Sequence, residues 1–319
     1  MTGPASAPPL KAPPTVTAIG ECMVELSPAG APLAFRTGFA GDTYNTAWYL
    51  RQLRPEWRVR YATAIGRDAL SDAMLAAMTG AGIATDHVQR LPDRSVGLYL
   101  IALSGGERSF SYWRSESAAR CLARDPELLA EAVRGAALVY LSGITLAILD
   151  DAGRRTLFDT LDTARANGSL VAFDPNLRPR LWHDLPSMRA TITRAAGRSD
   201  IVLPSFEDEA GHFGDDSPEA TLTRYLRGAT RSVFVKDGPG DVIYAHRGAR
   251  GRVTPAPVAQ VIDTTSAGDS FNAGVLAALL SGSGPDAAVR LGAATAAQVV
   301  ARRGALVPLQ SPGAPAPQS

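Results

Sequence analysis

The sequence is poor in several features that would have fixed its class at once. Cysteine occurs twice in 319 residues, as Cys22 and Cys121, far apart in the chain. That argues against a disulfide framework and against a metal knuckle. It fits a reducing, cytoplasmic setting, with Cys22 read as a buried strand residue rather than a nucleophile. Charge of one sign is also scarce. The net charge is +1 and no long basic run occurs, so neither nucleic acid nor a membrane surface is expected as the main partner. No uninterrupted apolar run reaches the ~20 residues that cross a bilayer. Gly-x-x-x-x-Gly-Lys-Ser/Thr and Gly-x-Gly-x-x-Gly are both missing, which disfavours a P-loop kinase and a dinucleotide enzyme. Residues 1–14 are rich in Pro and Ala without the apolar centre of a signal peptide, and 309–319 are similar. Both are expected to be flexible tails.

What is present is a core. Apolar residues make up 45% of the chain, enough for a sizeable core, and the stretch between the tails, 15–308, has room for one large α/β domain or two ordinary ones. β-rich runs at 16–20, 59–65, 137–141, 170–173, 200–203 and 232–236 alternate with helical stretches such as 43–53, 69–78 and 150–166. That alternation implies parallel βαβ crossovers. Ligands in such sheets bind past the carboxyl ends of the strands. Residues 21–26 read as a continuation of the first strand, and 33–39 as a second extended segment. Residues 96–103 and 108–113 read as a hairpin around Ser104-Gly105-Gly106-Glu107. Lys236 is followed by a second hairpin into 242–245, then by a helix ending near 280 and a last helix over 286–302.

The most informative stretch is Asp263-Thr264-Thr265-Ser266-Ala267-Gly268-Asp269-Ser270-Phe271-Asn272-Ala273-Gly274. It starts in turn-forming residues and runs into an apolar helix. Ser266, Ala267 and Gly268 are small, so a ligand can approach their backbone closely. Their N–H groups fall at a helix start, where donors lack partners and the dipole is positive. That makes a phosphate site. Asp269 in the same turn would repel a bound phosphate, yet phosphoryl transfer needs a group to take the proton of the attacking hydroxyl. The plainer alternative is that Asp263 or Asp269 caps the helix.

Other candidates lie on turns. Gly41-Asp42 opens a helix, and Asp42 and Asn45 either cap it or face a polar ligand. Asp174, Asn176 and Arg178 follow a strand, and Arg178 has no capping duty there. Tyr112 and Arg114 are two apart, hence on one strand face, with Tyr99 on the neighbouring strand. An Arg fork with Tyr hydroxyls suits a small carboxylate.

Asp-Thr-Thr-Ser-Ala-Gly-Asp-Ser-Phe resembles the C-terminal signature of the ribokinase-like (PfkB) sugar kinases, with Ser266 where Gly is usual. Ala40-Gly41-Asp42 and Asn45 resemble the N-terminal signature, with Ala40 for the first Gly. The stretch 111–119 is similar to one branch, the 2-keto-3-deoxygluconate kinases. The resemblance implies an α/β, three-layer α/β/α fold with a mostly parallel central sheet and a small β lid, formed by about 21–39 and 96–114. It implies ATP-dependent phosphorylation of 2-keto-3-deoxygluconate to its 6-phosphate. Asp269 would be the base; Ala267 and Gly268, with Ser266, would form the anion hole and touch ATP. Arg178 would serve both the transferring phosphoryl group and the substrate. Gly41, Asp42, Asn45, Tyr99, Tyr112 and Arg114 would hold the sugar acid, with Arg114 on its carboxylate. Asn176, Lys236 and Gly238 would lie along ATP and its Mg2+. The family's Asn-x-x-Glu is replaced by Ser205 and Asp208, so no residue is assigned directly to metal. A K+ requirement near the Asp263 loop stays open. The lid implies a homo-oligomer. A fructokinase or other family sugar kinase is the first alternative, and a catalytically silent sugar- or nucleotide-binding regulator is the second.

Overall fold

The computed structural model describes residues 13–31, 33–104 and 107–310. Most of both expected tails and the Gly105-Gly106 turn lie outside the described residues. The central sheet grows from β1 (Thr15–Ile19), which pairs in parallel with β4 (Arg58–Ile65) on one side and β8 (Leu138–Ser142) on the other. Beyond β4 lies the short β5 (Val88–Arg90). Beyond β8 follow β9 (Leu170–Asp174), β10 (Ile201–Val202) and β11 (Ser232–Val235), all parallel. The antiparallel β12 (Val242–His246) and β13 (Ala249–Val253) close that edge. The order is β13-β12-β11-β10-β9-β8-β1-β4-β5.

Both faces of this sheet are covered. Along β8, Leu138 and Tyr140 join one apolar cluster while Val139 and Leu141 join the other, and β9 and β11 alternate in the same way. A parallel strand buried on both faces therefore reads as a continuous apolar run, which is why these segments stood out in the sequence. One layer holds α1 (Asp42–Leu53), α2 (Ala69–Gly80), α9 (Ala267–Leu280) and α10 (Pro285–Val300). The other holds α3 (Pro126–Val133), α4 (Gly143–Ile148), α5 (Asp151–Ala166), α6 (Leu185–Ala196), α7 (Phe206–Phe213) and α8 (Pro218–Tyr225).

A second sheet of four strands has the order β3-β2-β6-β7. Its members are β2 (Met23–Pro28), β3 (Phe35–Ala40), β6 (Gly97–Ser104) and β7 (Glu107–Trp113). The expected continuation of the first strand through 21–26 is corrected here. The chain leaves the large sheet after Ile19 and re-enters as β2 of the small one. The break falls at a crowded point: a Cβ on Gly20 would overlap the Thr43 hydroxyl, and one on Gly41 would overlap the Glu21 carbonyl. β2 and β6 pair in parallel, and the outer pairs are antiparallel.

Gly143, at the carboxyl end of β8, shows how the fold sets the site. A Cβ there would overlap the carbonyl oxygen of Pro175, in the turn between Asp174 and Asn176. Gly143→Ala is expected to cost about 2 kcal/mol through overpacking. Displacement of the 174–178 turn should lower activity further than the stability loss accounts for. Thermal denaturation and turnover of the same preparation check this.

Candidate active site

The first turn of α9 is built without a side-chain cap. Ser266 is its N-cap, in the left-handed region at φ 63°, and its side chain accepts no backbone N–H. Neither acid caps the helix. Asp263 instead accepts from the Thr265 N–H at 3.0 Å, the Thr265 hydroxyl at 2.7 Å and the Gly304 N–H at 2.8 Å, so it folds the loop before the helix. The Ala267 N–H is engaged by the Thr264 carbonyl at 3.2 Å and that of Ser270 by Ser266 at 2.9 Å. Among the described residues the N–H groups of Gly268 and Asp269 have no acceptor, as is usual for donors at a helix start. A Cβ on Gly268 would have the Lys236 ammonium as its nearest neighbour, at 3.8 Å. Small residues, orphan N–H groups, the helix dipole and a nearby cation together suit a phosphate.

Asp269 sits at the third helical position with two donors on one oxygen. The Asn45 amide donates to Oδ2 at 2.8 Å and the Ser266 hydroxyl donates to the same Oδ2 at 3.1 Å. Neither touches Oδ1. The carboxyl pKa is raised to about 7, by burial first and then by the charges of Asp42 and Asp174, against the lowering effect of the Asn45 and Ser266 hydrogen bonds. Such a group is half-ionised near neutrality, where a general base works best. Asp42 is pushed up as well, mainly by burial, while hydrogen bonds from Ser142, the Thr43 N–H and Asn176 oppose the shift.

Behind the carboxylates runs a buried polar chain. Asn272 of α9 donates to Asp174 Oδ2 at 2.6 Å and to the Tyr140 hydroxyl at 3.1 Å. Thr46 donates weakly to Tyr140 at 3.3 Å and to the Asp269 carbonyl at 3.2 Å. Lys236 completes the chain with bonds of 3.1 Å to Asp174 and to Asn272. Although Lys236 stands at the start of a hairpin, its amine reaches inward, because a buried Asp174 needs a counter-charge. Asn272 and Tyr140 were missed in the sequence. Asn272 lies three residues past Asp269, on the same helix face, and that spacing is the signal that could have found it.

The remaining candidates fall into three groups. Asp42 and Asn176 meet directly, with Asn176 donating to Asp42 Oδ2 at 2.8 Å, and Asn176 itself holds a strained φ of 35°. Arg114 is nearly buried and paired with Glu21, whose side chain is 1% exposed. Tyr99 donates to Glu25 and stacks obliquely on Tyr112 at 5.9 Å, directly across the β6–β7 ladder. Tyr112 itself is exposed. Arg178 is half-exposed and 3.3 Å from Asp208. Gly238, at φ 51°, has an open surround. Glu21 and Glu25 were also missed: the run Glu21-Cys22-Met23-Val24-Glu25 reads as strand, and only pairing across the small sheet gives the acids their partners. The acidic start of α7 holds another surprise. Glu209 is fully buried, bonded to Arg224 at 2.7 Å and to the Tyr225 hydroxyl at 3.0 Å, which anchors the helix carrying Asp208.

A doubly covered, mostly parallel sheet with a smaller sheet beside its carboxyl edge, and a carboxylate set in an uncapped glycine-containing helix start, define the class: carbohydrate kinases that transfer a phosphoryl group to an alcohol. Residues 14–312 match the model of the pfkB family carbohydrate kinases. The chain belongs to that family. It is 39% identical over 304 residues to a 2-dehydro-3-deoxygluconokinase of Dickeya dadantii, covering 93% of this chain and 97% of that one. Among solved structures it is similar to a PfkB protein from Polaromonas sp. JS666, with TM-score 0.79 and 31% identity over 90% of this chain and 96% of that one. It is also similar to a fructokinase with bound ATP from Xylella fastidiosa, with TM-score 0.80 and 26% identity over 91% of this chain and 93% of that one. Among the described residues no helix is long and apolar enough to cross a membrane.

Proposed function

We propose that this protein phosphorylates 2-keto-3-deoxygluconate at its terminal primary hydroxyl, using ATP. The observation that carries the reaction is Asp269: a carboxylate with a pKa near 7 in the first turn of a helix whose Gly268 and Asp269 N–H groups are uncapped. Asp269 takes the proton of the attacking hydroxyl. That oxygen forms its bond to the γ-phosphorus as the bridging P–O bond to ADP breaks. The two N–H groups, the dipole of α9 and the Lys236 ammonium face the charge that develops on the phosphoryl oxygens. Arg178, released from the half-buried Asp208, adds a second cation. Mg2+ bound with the nucleotide would neutralise the charge of its phosphates, and Asn176, just past the end of β9, is the side chain that would face them.

The sugar acid rests on the similarity to curated 2-dehydro-3-deoxygluconokinases and on Arg114. Glu21 holds one edge of the Arg114 guanidinium, yet its Nε is buried without a partner, and a carboxylate is the natural acceptor for it. The small sheet would close over the sugar as a lid, and on its opposite face the exposed Trp113 offers a contact for a second subunit. The two buried free thiols suit a reducing cytoplasm. A second reading, a neutral-sugar kinase such as the Xylella fructokinase, draws on the same pair, because Glu21 already neutralises Arg114.

The test is ATP consumption with Mg2+ across 2-keto-3-deoxygluconate, 2-keto-3-deoxygalactonate, fructose, ribose and gluconate. Preference for the keto-deoxy acids is expected. Preference for fructose or ribose would keep the kinase and overturn the carboxylate assignment. No turnover by folded protein on any of them would favour a binding regulator.

A further inference from the structure

Ser266 presents a conflict between local structure and sequence. At φ 63° it occupies a backbone region that glycine enters freely and other residues enter at a cost. A glycine would supply the same N–H without that cost. What a glycine would lack is the hydroxyl, and the hydroxyl donates to Asp269 Oδ2 at 3.1 Å. The Asn45 amide arrives on the same oxygen from α1 at 2.8 Å. Two donors on Oδ2, one from α1 and one from the N-cap of α9, leave Oδ1 as the oxygen to receive a proton.

We infer that Ser266 is a positioning residue for the base: its hydroxyl fixes the Asp269 carboxylate with Oδ1 available to the substrate hydroxyl and holds it ionised against its acidic neighbours. The inference rests on the reading of Asp269 as general base. The groups around Asp269 make the task plain. Asp42 on α1 and Asp174 at the end of β9 repel its charge. Tyr140 on β8 and Tyr49 on α1 also lie in its field. The Lys236 ammonium is committed to Asp174 and Asn272. Asn45 and Ser266 are the neutral donors that reach the carboxylate directly, and removal of either leaves one. A hydrogen bond to an ionised group favours the ionised form, so loss of the Ser266 hydroxyl raises the pH at which the base becomes available. In the transfer step the substrate proton passes to Oδ1 as the new P–O bond forms and ADP leaves, and Oδ2 keeps its donors throughout.

The experiment is the pH dependence of kcat/KM, with melting temperature, for Ser266→Gly and Ser266→Ala beside the wild type and Asp269→Asn. Both Ser266 variants lose the hydroxyl, but only glycine relieves the backbone. The acid limb should move up by about half to one pH unit in both. At pH 6 that is a roughly three- to tenfold lower kcat/KM, with KM for ATP little altered. The melting temperature should separate the variants, with glycine above alanine. An acid limb unmoved in both overturns the inference. So does a shift in only one, which would assign the effect to backbone freedom rather than to the hydroxyl. If Asp269→Asn itself keeps near-normal turnover, the base assignment fails, a result distinct from either of these.

Discussion

Asp269→Asn should abolish most turnover while making the protein more stable. The loss expected is ~10²–10⁴-fold in kcat, the usual contribution of a positioned general base. Asparagine keeps an oxygen for the Asn45 and Ser266 donors, so the geometry should survive. The stability gain follows from the carboxyl pKa. It stands at about 7 in the folded protein against 3.8 for an ordinary Asp. Between those values the folded state binds more protons than the unfolded one, so the wild type loses stability as pH rises through that window. Asparagine carries no charge and removes that slope. Above pH 7 the variant should therefore gain on the order of 2 kcal/mol, allowing for the partial solvent exposure of the site. Below pH 4 the two proteins should melt alike. Denaturation at pH 4 and pH 8 beside single-turnover rates checks both halves. Near-normal turnover in a folded variant would remove Asp269 from the base role, and a variant less stable at pH 8 would contradict the electrostatic account.

Arg114→Ala should do two kinds of damage, which a second substitution can separate. Glu21 is 2% exposed, so removing its partner leaves a buried charge at a cost of about 3–5 kcal/mol. The second kind is loss of the sugar carboxylate contact, ~100-fold in kcat/KM for the keto-deoxy acid if a charge-assisted hydrogen bond is lost. In Glu21→Gln with Arg114→Met the buried charge is gone and much of the stability should return. Use of the sugar acid should not. Fructose, with no carboxylate, should be affected far less than the acid in both variants. A double variant that phosphorylates the acid as well as wild type would show that Arg114 serves only the fold.

The sequence was most legible where one local rule sufficed. Strands buried on both faces read as apolar runs, and the 263–274 stretch reads as a phosphate site because small residues entering an apolar helix have few other uses. The helices α3, α6 and α8 carry a readable start as well, an Asp or Ser N-cap with proline in the first turn. They drew no attention because no chemistry sat on them. The short edge strand β13 alternates weakly and is mostly exposed, so periodicity could not find it.

What the sequence determined by itself was the class of fold and the family, and it singled out the 263–274 helix start with Asp269, Asn45, Asp42 and Arg114 as candidates for the site. Each is a short-range statement: a turn, a helix end, an alternation. The tertiary structure decided who meets whom. It placed Asn45 on Asp269 across 224 positions of sequence, Lys236 on Asp174 rather than in solvent, and Glu21 on Arg114. It also put Ser266 into a glycine's conformation with its hydroxyl on Asp269. These pairings depend on charge and desolvation among groups that only chain reversal brings together. A buried charge must find a partner or change its protonation, and which partner lies in reach is a property of the folded sheet and its helices, not of any stretch of the chain.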